Sequence, residues 1–116
     1  MAIVDDDEAI LDATSSLLES FGYETVAFSS GAAFLDYDHV GDITRLLTDV
    51  NMPGMDGFEL QQRLRLDYPR IGVIMMTALS DDHVKRRALA CGARELLRKP
   101  IMADDLIRCL ESLVTP

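Results

Sequence analysis

Short apolar runs alternate with stretches of helical periodicity along the whole chain. Ala2-Ile3-Val4 is an apolar run that stops abruptly at Asp5-Asp6-Asp7. From Glu8 to Phe21 the positions Ile10, Leu11, Leu17, Leu18 and Phe21 recur at helical spacing, and Gly22 follows as a stop. Glu24 to Phe28 reads as a strand, and Ser29-Ser30 cap a short helix from Gly31 to Leu35. Asp36 to Asp42 is polar loop around His39 and Gly41. The next apolar run, Ile43 to Val50, holds Leu46-Leu47-Thr48 and meets Asp49. The segment Asn51-Met52-Pro53-Gly54-Met55-Asp56-Gly57 is dense in turn formers, and a helix from Phe58 to Asp67 follows, with Phe58, Leu60, Leu64 and Leu66 on its inner side. Pro69 ends it. Ile71 to Met76 is the most apolar run and stops at Thr77, and Asp81 to Ala90 is helical and closed by Gly92. Glu95-Leu96-Leu97 precedes Lys99-Pro100, and a last helix from Ala103 to Val114 is apolar at Leu106, Leu110 and Leu113.

Five strand–helix units in one chain predict an α/β fold, a doubly wound five-stranded parallel sheet with helices on both faces. Right-handed crossovers leave few topologies, and strand order 2-1-3-4-5 is the common one. No linker, repeat or low-complexity stretch interrupts the pattern, so residues 1–116 read as a single domain.

Composition narrows the classes. The 116 residues are 48% hydrophobic and 27% charged, enough for a core without disulfides or a structural metal. No apolar run approaches the ~18 residues of a membrane span, and the start lacks the basic region of a signal peptide. A cytoplasmic chain with no membrane association is expected. A net charge of −9 argues against direct nucleic-acid binding. Cys91 and Cys109 match no zinc spacing and are read as small buried hydrophobes.

The candidate chemistry lies where strands end. In such a sheet, ligands bind beyond the carboxyl ends of strands where the order reverses, here between the first and third. The first strand ends in Asp5-Asp6, the third in Asp49 and the fourth in Thr77, and Lys99 closely follows the fifth. Crowded carboxylates repel unless a cation neutralises them, and an all-oxygen donor set suits Mg²⁺. With a hydroxyl and an ammonium beside it, such a site suits phosphoryl transfer. A carboxylate can itself be the nucleophile. Asp49 is best placed, and Asp5 and Asp6 stay open as alternatives. Asp7 and Glu8 read as the start of the first helix.

Ile3-Val4-Asp5-Asp6-Asp7-Glu8, Leu47 to Gly57, Met76-Thr77-Ala78 and Lys99-Pro100 together resemble the receiver domain of bacterial two-component response regulators, the chemotaxis response regulator being the type case. Each motif alone is weak, but the four in order span essentially the whole chain. The resemblance implies a flavodoxin-like fold and a switch in which Asp49 accepts a phosphoryl group from a sensor histidine kinase or histidine phosphotransfer protein. It implies Mg²⁺ held by Asp6, Asp49 and the backbone carbonyl of Asn51, with Asp5 acting through a metal-bound water. Thr77, Lys99 and the backbone amide of Ala78 would contact phosphoryl oxygens. A cis Lys99-Pro100 bond, a fused or separate output domain, and a homodimer through the face of the fourth helix, fifth strand and fifth helix are further implications. The chain would be no enzyme beyond its own Asp phosphorylation and dephosphorylation.

One departure stands out. Receivers usually carry Tyr or Phe three residues before the lysine, and here that place is Leu96. Readout would then rest on the loop after Thr77 and the helix beyond it. Lys85-Arg86-Arg87 reads as a solvated helix face. Two rival functions belong to other classes. A Mg²⁺-dependent phosphohydrolase with an Asp nucleophile would want a second Asp two residues on, where Asn51 stands. A phosphate-independent receiver-like binding module would usually have lost one of the acidic pair, the acceptor or the lysine.

Overall fold

In a computed structural model of the protein, which describes residues 1–78 and 82–114, five parallel strands form one sheet in the order β2-β1-β3-β4-β5. The strands are β1 (Ala2–Val4), β2 (Val26–Phe28), β3 (Arg45–Asp49), β4 (Gly72–Thr77) and β5 (Glu95–Arg98). Between and after them run α1 (Glu8–Ser20), α2 (Gly31–Leu35), α3 (Gly57–Asp67), α4 (Asp82–Ala90) and α5 (Ala103–Val114), with a short 3-10 turn at Val40–Asp42. This is the predicted doubly wound topology. The strands flanking the order reversal, β1 and β3, pair Ala2 with Leu46, Ile3 with Leu47 and Val4 with Thr48.

Strand residues alternate between two cores. Ala2, Val4, Leu46, Val73 and Met75 pack against Phe34 of α2, Phe58, Leu60 and Leu64 of α3 and Ala88 of α4. Ile3, Leu47, Ile74 and Met76 pack against Leu11 and Leu18 of α1 and Leu106, Cys109 and Leu110 of α5. Because both faces are covered, the strands read as unbroken apolar runs rather than alternating ones. Each fully buried Leu or Ile contributes roughly 2 kcal/mol.

Helix starts are fixed by caps. Asp7 Oδ1 accepts from the Ala9 amide at 2.9 Å, Ser30 Oγ from Ala33 at 3.1 Å and Asp56 Oδ1 from Glu59 at 2.9 Å. The stops at Gly22 and Gly92 are real: both sit at positive φ, 92° and 105°.

Several expectations are corrected. Phe21 is not an inner position of α1; it follows the helix as its C-cap and is exposed. Leu66 is exposed as well. At about 100° per residue it lies about 200° round α3 from Leu64, and the stripe is completed by Gln61 instead. The loop around His39 contains the 3-10 turn, whose Val40 is buried. β2 begins at Val26 rather than Glu24. Asp81, assigned to the start of α4, lies outside the described residues, as does the side chain of Leu113.

Candidate phosphoryl-transfer site

Five of the strand-end residues singled out in the sequence meet at the carboxyl edge of the sheet. β1 and β3 run side by side in parallel, so their exits put Asp5-Asp6 next to Asp49. Carboxylate oxygens of Asp5, Asp6 and Asp49 lie within 4.8 Å of one another. Asp5 and Asp49 are buried and Asp6 is exposed, which leaves the cluster open to solvent on one side. Thr77 ends β4 and is buried, and its carbonyl accepts from the Lys99 amide at 2.7 Å. That bond fixes where the lysine leaves the sheet, directly before a cis Lys99-Pro100 peptide.

Lys99 is the counter-ion. Its Nζ donates to Asp5 Oδ2 at 2.8 Å and lies 3.2 Å from Asp49 Oδ1. Asp5 also accepts from the Asp7 amide at 2.9 Å, which ties the acidic pair to the N-terminus of α1. One ammonium faces three carboxylates, so the cluster keeps excess negative charge. Burial, followed by the Asp5 charge, raises the pKa of Asp49 above the ordinary carboxylate value despite Lys99. For Lys99, burial pulls the pKa down, but the bond to Asp5 and the Asp49 and Asp5 charges outweigh it, and the net shift is upward. Hard oxygen donors, surplus negative charge and an exposed side fit a divalent cation such as Mg²⁺.

Asn51 and Ala78 stand on the loops leaving β3 and β4, both exposed, at the edge that carries the cluster. Leu96 pairs with Met75 across β4–β5 and is partly buried against the core under α3 and α4.

Two contributors escaped the sequence pattern. Gly57 reads as a turn former, yet it opens α3, and the positive-φ turn is made by Gly54 instead. A Cβ at Gly57 would come within 2.6 Å of the Asp49 carbonyl oxygen, so a side chain there would push α3 off the backbone of Asp49. The amide of Gly57 also donates to the Val50 carbonyl at 2.9 Å. Its place right after a capping Asp was the available signal. Arg87 is exposed, as a solvated face implies, but its guanidinium carbon lies 4.1 Å from the centre of the Phe58 ring and joins α4 to the start of α3.

The model of the response regulator receiver domain matches residues 1–111. The chain is 41% identical over 105 residues to the heme response regulator HssR of Staphylococcus epidermidis, covering 90% of this chain and 46% of that protein. It is 33% identical over 112 residues to the transcriptional regulatory protein FixJ of Bradyrhizobium diazoefficiens, covering 97% and 55%. The chain thus spans about half the length of these curated relatives. Among solved structures, a response regulator receiver domain protein from Clostridium thermocellum superposes with TM-score 0.90 at 29% identity, over 97% of this chain and 91% of that one. The chemotaxis protein CheY4 of Vibrio cholerae superposes with TM-score 0.88 at 29% identity, over 97% and 95%.

Proposed function

The chain belongs to the response regulator receiver domain family, and from that premise we propose that it takes a phosphoryl group onto Asp49 from a phosphohistidine of a sensor kinase or phosphotransfer protein. The observation that carries the assignment to Asp49 is its buried carboxylate at the sheet's reversal, beside two further carboxylates and 3.2 Å from the Lys99 ammonium.

In the transfer an Asp49 carboxylate oxygen attacks phosphorus as the P–N bond to the donor imidazole breaks. The electron pair stays on that nitrogen, which takes up a proton, and the product is an acyl phosphate. The residues that would hold Mg²⁺, which family members typically bind, are Asp5, Asp6, Asp49 and the carbonyl of Asn51. When bound, the ion supplies positive charge for the carboxylates and for the phosphoryl oxygens. Lys99 pairs with one phosphoryl oxygen, the Thr77 hydroxyl donates to a second, and the Ala78 amide donates to the group from the neighbouring loop. The phosphoryl group gives Lys99 and Thr77 a shared contact at Asp49 that draws the ends of β4 and β5 towards it.

With Leu96 in place of an aromatic side chain, the movement is passed to α4 through the loop after Thr77 and through the Phe58–Arg87 contact. The output is an attached or separate domain in a two-component pathway, and a homodimer would form through α4, β5 and α5. The chain turns over no other substrate. No helix is long and apolar enough to cross a membrane among the described residues.

The test is incubation with Mg²⁺ and acetyl phosphate followed by intact mass. One phosphoryl adduct that requires Mg²⁺ and is absent from Asp49→Asn is expected. An adduct of equal yield in Asp49→Asn overturns the assignment.

A further inference from the structure

The peptide unit that joins Asp49 to Val50 is held on three sides. Its N–H, that of Val50, donates to the Met76 carbonyl of β4 at 2.9 Å. Its carbonyl, that of Asp49, accepts from the Thr48 hydroxyl at 3.1 Å. Gly57 closes the third side, since a Cβ there would stand 2.6 Å from the same carbonyl oxygen and 3.0 Å from Val50 Cα. Asp49 is the last residue of β3, so this is the first peptide unit beyond the strand. The bond to Met76 is main chain and asks nothing of the sequence. Gly57 and Thr48 are the residue choices that decide how the unit sits.

Thr48 is an unusual choice for its place. It is fully buried, and its cross-strand neighbours, Val4 on β1 and Met75 on β4, are fully buried apolar residues. Valine has nearly the same shape and would bring no polar atom into that surrounding. A buried hydroxyl has to be hydrogen-bonded, and here the Asp49 carbonyl receives it. Thr48 and Asp49 are successive strand residues and face opposite sides of the sheet, so the hydroxyl reaches the acceptor residue only through its main chain.

The peptide unit sets how Asp49 leaves the strand. A tilt of it moves the Cα of Asp49 on one side and the path to Asn51 on the other. That Cα carries the carboxylate that lies 3.2 Å from Lys99 Nζ and clusters with Asp5 and Asp6. A reacting group displaced by about 1 Å loses on the order of 100-fold in rate, and a smaller tilt loses less.

We propose that Thr48 is a positioning residue for phosphoryl acceptance. Its hydroxyl holds the Asp49–Val50 peptide unit so that the Asp49 carboxylate is presented to the incoming phosphoryl group. The role rests on the reading of Asp49 as acceptor, and it adds a residue that touches neither the phosphoryl group nor the ion.

The test uses the whole chain, Thr48→Val, Thr48→Ser and Asp49→Asn, each incubated with acetyl phosphate at saturating Mg²⁺. The growth of the phosphoryl adduct is followed by intact mass, at a temperature where all keep the wild-type circular dichroism. Thr48→Val keeps the volume and loses the hydroxyl, whereas Thr48→Ser keeps the hydroxyl and loses a methyl. Thr48→Val should load ~5- to 10-fold more slowly than wild type, and Thr48→Ser within about 2-fold of it. Packing alone gives the reverse order, because only serine leaves a cavity. In the Mg²⁺-free chain the Asp49 carbonyl ¹³C resonance should move further in Thr48→Val than in Thr48→Ser. Thr48→Val loading as fast as Thr48→Ser, whatever their common rate, overturns the role, and so does a carbonyl resonance that moves as far in the serine variant. If either result comes with an adduct that Asp49→Asn abolishes, the role of Thr48 falls and the acceptor stands. No adduct on wild type, or one that persists in Asp49→Asn, overturns the acceptor reading and the role of Thr48 with it.

Discussion

At the carboxyl end of the sheet three carboxylates cluster and two of them hold one ammonium, whereas at the amino end three arginines, Arg65, Arg70 and Arg94, line a cleft that has no carboxylate among its described lining residues. The two ends differ in how charge is tolerated. Asp5 is fully buried and Asp49 nearly so, and water reaching the cluster past Asp6 compensates them only in part. The remainder has to be met inside the protein, and Lys99 meets it at 2.8 and 3.2 Å. The arginines lie at exposed positions, where solvent and salt screen them. A charge that the fold itself compensates is structural as well as functional; one left to solvent contributes little to stability.

The contrast is broken most severely at Lys99. Lys99→Met should lower stability by about 3 kcal/mol at neutral pH without Mg²⁺, because it strands the buried Asp5 and Asp49 charges. Mg²⁺ should restore much of that loss, which denaturant titration with and without the ion would read. Gly57→Ala comes next, at about 2 kcal/mol, since the new Cβ meets the Asp49 carbonyl oxygen and the packed backbone must shift. Loss of phosphorylation should accompany the loss of stability, and an unchanged melting curve would contradict the close approach.

Asp49→Asn should act in the opposite direction. The raised pKa of Asp49 means the folded state binds more protons than the unfolded chain above the ordinary carboxylate value. Stability therefore falls as pH rises from that value through the higher folded one. The amide removes this slope and should raise Tm near neutral pH. Melting curves of both proteins between pH ~4 and ~7 check the sign. The smallest effect belongs to the other end: Arg70→Gln/Arg94→Gln should change stability by no more than about 0.5 kcal/mol, with any gain at low salt. A loss above that would mean these arginines are held by the fold as Lys99 is.

The same contrast explains what was legible. Asp5-Asp6, Asp49 and Thr77 each close an apolar run, and Lys99 follows one closely, so a parallel sheet brings all of them to one edge once the strands are recognised. Caps at Asp7 and Ser30 and stops at Gly22 and Gly92 are local chemistry and read equally well. Phe21 and Leu66 mislead because an apolar side chain in a helical segment reads as an inner one. At 53% and 84% exposed they face solvent, and the buried stripe of α3 instead takes in polar Gln61. Gly57 looked like any turn glycine, since closeness to a distant backbone leaves no trace in sequence spacing.

The order of apolar runs, their polar stops and the helix caps were determined by the sequence itself, because each depends on side chains a few residues apart. They were enough for the doubly wound sheet and the acidic edge. Only the tertiary structure decided that Lys99 bridges Asp5 and Asp49, that α3 starts against the Asp49 carbonyl and that Arg87 lies over Phe58. It alone brought Arg65, Arg70 and Arg94 to the wall of one cleft. Those arrangements depend on how helices seat on the sheet, and seating is set by the shape of the whole core rather than by any local run of residues.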